Sequence, residues 1–152
     1  MDVIAFFYTI GCCLISLIIA GIFGSNKEDK EWLENLNHPD NSFMLKTMNK
    51  VGVIFYLLFG FVLYHLFVSN DIVSIIITII IIQLMGLSPV LLNKTKKLKL
   101  FFIAMLIFPI LVLTLIFFLL KSKLILAILI IIYLLWLVYD ISYYYRLMKL
   151  NK

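Results

Sequence analysis

"IVSIIITIIIIQLMGL", residues 72–87, decides the fold. Its apolar residues run continuously, without the apolar-out, polar-in alternation of a membrane barrel strand. A chain surrounded by lipid must satisfy its backbone polar groups internally, which leaves a helix bundle. Four further stretches have the same character. At 1.5 Å per residue each is long enough to cross a hydrocarbon core about 30 Å thick. The spans are expected near 3–23, 47–68, 72–92, 99–120 and 123–147. The 152 residues are 64% hydrophobic, against about half in a soluble domain. The expectation is one all-α domain over 1–152, an integral membrane bundle of five transmembrane helices. "SND" (69–71) and "KSK" (121–123) are tight turns between antiparallel neighbours.

The first span has no basic residue before it, only Met1-Asp2, and its apolar run is too long for a signal peptide, so it reads as a retained helix. Cys12 and Cys13 are adjacent within it and lack C-x-x-C spacing, so they read as packing residues.

Five spans put the termini on opposite sides. Lys27, Lys30, Lys46, Lys50, Lys94, Lys96, Lys97, Lys99, Arg146, Lys149 and Lys152 fall on one side, Lys121 and Lys123 on the other. The positive-inside rule then places the C-terminus and the first loop in the cytoplasm and the N-terminus outside. The plasma membrane of a bacterium is the expected location. The basic residues sit at membrane edges without a recognition motif, which argues against a nucleic-acid partner.

The connection 24–46 is the long one. "SNKEDKEW" (25–32) reads as a helix start, with Ser25 or Asn26 as cap, acids in the first turn, and Trp32, Leu33 and Leu36 on one side. Pro39 is expected to stop it. Such a helix either floats at the headgroups or closes over the bundle.

The pattern Trp32-x3-Leu36-x2-Pro39 resembles the first-loop motif of the tryptophan-rich sensory protein/translocator protein family (TspO/MBR, the peripheral benzodiazepine receptor family). Gly52, Tyr56 and Gly60 are similar to the segment that follows in that family, and Ser88-Pro89 to the Ser-Pro closing its third helix. Tyr133, Leu134, Trp136, Leu150 and Asn151 match its fifth-helix ending. The resemblance implies an amphipathic lid helix in the first loop, roofing a pocket between the first, second, third and fifth spans. It implies ligand contacts from Trp32, Leu36, Pro39, Phe43, Lys46, Tyr56, Leu87, Ser88, Tyr133, Trp136, Asp140 and Tyr144. The implied ligands are tetrapyrroles (porphyrin or haem) or sterol-like apolar molecules, bound for transport or sensing, with Lys46 and Lys50 available to carboxylates. The bilayer and a second copy of the chain, as a homodimer, complete the expected partners. No resident cofactor and no metal are expected.

This chain departs from the family pattern at several points. Phe43-Met44 replaces a Pro-Pro pair, Lys46, Gly52 and Leu87 stand where tryptophans are expected, Tyr144 replaces an asparagine, and Asp140 replaces a small residue.

Ionisable groups within lipid are costly and mark function by default. Asp140 shares a helical face with Tyr133, Trp136, Tyr143, Tyr144 and Leu147. Either it lines the pocket or it is bonded to a tyrosine, lysine or arginine. His65 lies toward the outer end of the second span, as an interfacial side chain or a contact to haem iron. Gln83 calls for a partner on another helix, and Pro109 for a kink. With no nucleophile set, metal motif or phosphate loop, the chain does not read as an enzyme. Porphyrin breakdown enters by resemblance alone. The competing reading is a structural or accessory membrane subunit, packed solid, with Asp140 tied up internally.

Overall fold

The computed structural model describes residues 2–23, 26–39 and 43–152, without the side chains of 23, 43–46, 48 and 49. All regular structure among them is helical: α1 (Val3–Phe23), α2 (Lys27–Glu34), α3 (Phe43–Val68), α4 (Ile72–Thr95), α5 (Leu98–Met105), α6 (Ile107–Leu120) and α7 (Leu124–Leu150). Five stretches are long and apolar enough to span a bilayer, with α5 and α6 together forming the fourth.

Pro109 explains that division. It has no N–H to give the carbonyl four residues back, at Met105, and its ring crowds that carbonyl. The helix breaks at Leu106, whose N–H turns to the Ile103 carbonyl at 3.2 Å. Pro89 has a milder effect. Ser88 Oγ donates to the Met85 carbonyl at 3.1 Å, filling the place of the missing proline N–H. The Ser-Pro pair therefore lies within α4, which runs on to Thr95, and does not close it.

Helix α1 packs on α4 and α3, α3 also on α7, and α4 and α7 both on the broken fourth span. Phe59, Leu63, Leu66, Ile81, Ile82, Leu115, Leu119, Ile130 and Leu147 fill the centre with essentially no exposure. Dispersion contacts, more than the hydrophobic effect, hold such helices together in lipid, so small groups and hydrogen bonds at crossings matter. Ser16, fully buried on α1, bonds to the Ile82 carbonyl of α4 and, at 2.9 Å, to the Tyr56 hydroxyl of α3. Gln83 finds its interhelical partner: its Nε2 donates to the Cys12 carbonyl at 3.1 Å.

The turns at the far end are joined by an ion pair. Asp71 caps α4 by accepting from the Ser74 N–H at 3.2 Å, and it pairs with Lys123 Nζ at 3.1 Å. Burial pushes the Asp71 carboxyl up, but these hydrogen bonds outweigh it and hold the group below the usual carboxylate range. At the opposite end the first loop meets the α4–α5 turn and the C-terminus, the grouping implied by the lysine distribution.

Candidate functional site

Helix α2 begins where Asn26 Oδ1 accepts from the Asp29 N–H at 2.8 Å and Asp29 Oδ2 accepts from the Asn26 N–H at 3.4 Å. This reciprocal box satisfies two of the N–H groups that every helix start leaves open. The helix ends at Glu34, before Leu36 and well before Pro39. Asn35 closes it by bonding the Glu31 carbonyl at 3.0 Å, so Pro39 is not the stop that the sequence implied.

Three ties dock this segment on the bundle. Lys96 of the α4–α5 turn lies 3.7 Å from the buried Asp29 carboxylate. His38 stands between Tyr143 and α2, with Nδ1 2.8 Å from the Tyr143 hydroxyl and Nε2 2.8 Å from the Leu33 carbonyl. Because a carbonyl can only accept, Nε2 carries a proton and donates it to Leu33. Asn151 grips the backbone of Asn37: its Oδ1 accepts from the Asn37 N–H and its Nδ2 donates to the Asn37 carbonyl, each at 2.9 Å. Trp32, Leu33 and Leu36 are half-buried and packed against the core, so the segment is docked and does not float.

Beneath α2 lies a cavity of about 620 Å³. Leu33 and Lys30 contribute to its roof, and every span contributes to its walls. Sequence reasoning left out the fourth span, which supplies Phe101, Met105 and Phe108. The α7 wall presents Tyr133, Trp136, Leu137, Asp140 and Tyr144, one helical face as the spacing implied. Phe55 meets the Tyr133 ring edge-on at 4.8 Å and lies 6.1 Å from Trp136, making an aromatic side wall. Asp140 Oδ1 is buried without a hydrogen-bond partner among the described residues.

Of the residues singled out from sequence, Tyr56, Ser88, Tyr133, Trp136, Asp140 and Tyr144 come together around this cavity. Trp32 and Leu36 line a separate depression beside α2. Pro39 is half-buried outside both, and Leu87 is 45% exposed on the outer surface of the bundle. The side chains of Phe43 and Lys46 lie outside the described residues, and Lys50 is exposed, away from the lining. His65 is also exposed and meets the Phe61 ring edge-on at 4.5 Å, apart from the cavity. Sequence reasoning missed Asp29, Lys30, Glu34 and Asn93, which the lining includes. It also missed His38.

A five-span bundle with its first loop docked over a central cavity is what the motifs implied, and the TspO/MBR family model matches residues 9–149. The chain belongs to the TspO/MBR family. No match is found among curated proteins or among solved structures. Membership and the five apolar helices make it an integral, multi-pass protein of the lipid bilayer, in a family of membrane ligand-binding or sensing proteins that is generally not enzymatic.

Proposed function

We propose that this TspO/MBR protein binds a flat, apolar small molecule, of the sterol or tetrapyrrole class, in the cavity beneath α2, for transport or sensing. The cavity itself carries the reading. Its volume of about 620 Å³ falls in the range of small-molecule sites. An accessory subunit packed solid, with Asp140 bonded internally, would have neither this space nor an unpaired carboxylate oxygen facing it.

The lining also sets a preference. With Asp29 paired to Lys96, Glu34 and Asp140 stand against a single lysine of the lining, Lys30, so a neutral or cationic ring system is favoured over one bearing two carboxylates. Aromatic edges from Phe55 and Tyr133 offer a flat ligand a stacking surface. The orientation, with α2 on the cytoplasmic side, follows from the lysine distribution.

The test fills the space. Gly52 lines the cavity, and a Cβ built there meets nothing within 4 Å. Titration of the purified protein with protoporphyrin IX and with a sterol, followed by absorbance and fluorescence, should give saturable binding of at least one. Gly52→Phe should weaken it by roughly tenfold or more, through the apolar burial forfeited. Binding unchanged in the filled variant would place the ligand elsewhere.

A further inference from the structure

Beside α2, and distinct from the cavity, lies a groove of about 880 Å³. Trp32 and Leu36 form one wall, Leu98, Phe102 and Ile103 another, and Met148 of α7 contributes from a third side. Lys96, Lys97, Lys99 and Lys152 rim it, and no aspartate or glutamate side chain lines it among the described residues. The ion pairs among the described residues are Lys27–Glu31, Lys96–Asp29 and Lys123–Asp71. Lys97, Lys99 and Lys152 therefore bring three charges to the rim without an acidic partner there.

The location selects the occupant. Lys97 precedes Leu98, where a membrane span begins, so the rim sits at the bilayer surface. Phe102 and Ile103 lie one turn deeper, and Ile103 is 53% exposed. A soluble anion would satisfy the lysines and leave the apolar floor uncovered, while a neutral lipid would cover the floor and leave the charges unmatched. Basic residues at a cytoplasmic membrane edge attract anionic headgroups.

We propose that this groove binds an anionic phospholipid, with its headgroup phosphate on Lys97, Lys99 and Lys152 and an acyl chain against Phe102 and Ile103. The lipid touches both α2 and the fourth span, so it steadies the roof of the cavity. The site stands whether or not the cavity takes a ligand.

Trp32 and Trp136 are the two tryptophans of the chain, so Trp136→Phe leaves Trp32 as the sole reporter beside the groove. This protein is placed in phosphatidylcholine nanodiscs in which an equal minor fraction is either phosphatidylglycerol or phosphatidylcholine with brominated acyl chains. Brominated phosphatidylglycerol should quench Trp32 roughly twofold more strongly than brominated phosphatidylcholine, as expected for selective attraction of the anionic headgroup. Adding Lys97→Gln, Lys99→Gln and Lys152→Gln should remove the excess and leave the phosphatidylcholine quenching in place. Lys27→Gln with Lys94→Gln, which takes charge from the same end but off the groove, should leave the excess intact. Equal quenching by the two lipids, even in the protein bearing all its lysines, overturns the proposal, as does an excess that survives the triple change. An excess abolished by inorganic phosphate would mark a free-anion site and overturn it also.

Discussion

Ser16 of α1 and Gly86 of α4 touch so closely that a Cβ at position 86 would collide with the Ser16 hydroxyl and lie 3.1 Å from its carbonyl carbon. The approach lets Ser16 hold both the Ile82 carbonyl and the Tyr56 hydroxyl, and Tyr56 is a cavity wall. Gly86→Ala should therefore force the two helices apart, with the 1–3 kcal/mol or so typical of overpacking. Gly52→Ala, where the added Cβ meets nothing within 4 Å, should be neutral or should stabilise by up to about 1 kcal/mol through helix propensity. Thermal unfolding of both variants in detergent checks the contrast, and equal shifts would contradict it.

Of the three ties that dock the α2 segment, the Asn151 clamp can be released by itself. Removing its amide deletes both bonds to the Asn37 backbone while leaving the Asn26–Asp29 box intact. At about 1 kcal/mol net per hydrogen bond, Asn151→Ala should speed amide exchange over residues 27–38 by roughly tenfold. Exchange in α4 and α6 should stay as it was. Unchanged exchange over 27–38 would show that the clamp holds nothing.

Acid should weaken the far end first. The Asp71 carboxyl titrates below its unfolded value of about 3.9, so its contribution is complete above that value and is lost as pH falls through the folded one. Asp71→Asn keeps a good helix cap but loses the Lys123 pair. The variant should unfold below wild type at neutral pH, by about 1 kcal/mol for this partly buried pair. The gap should close at low pH, and a gap that widened there would reverse the sign.

In a Cys12→Ala, Cys13→Ala background, single cysteines at Lys27 and Asn70 should label from opposite sides of the membrane, Asn70 from outside. Labelling of both from outside would sink the assigned orientation.

The spans were legible because a lipid-facing helix needs only length and apolarity, and "IVSIIITIIIIQLMGL" has both. The α7 wall was legible because Tyr133, Trp136, Asp140 and Tyr144 stand at helical spacing. The share of the fourth span was not: past Lys99, α5 and α6 carry Thr114 as their one polar side chain, and no stripe marks which face turns inward. Pairings across the chain were equally hidden. Asn37 and Asn151 are 114 residues apart, and the sequence offered Asn151 as part of a family ending without showing what it grips. Asp29 read as an ordinary first-turn acid, because its burial comes from Lys96 and the bundle beneath. His38 sat in a polar loop where a histidine carries no local signal. The reach of Pro39 was overestimated because Asn35 had already closed α2.

The most direct test of a ligand cavity beneath α2 uses the carboxylate that faces it. Wild type and Asp140→Ala are titrated with protoporphyrin IX, which is anionic, and with an apolar cation such as tetraphenylphosphonium. An ionised carboxylate a few ångströms from a ligand charge in a poorly solvated cleft shifts affinity by roughly tenfold or more. Because burial disfavours ionisation of a carboxyl group, the titrations are run at alkaline pH. Asp140→Ala should strengthen porphyrin binding and weaken the cation. Equal affinities across the four measurements would contradict the placement of Asp140 in a ligand site.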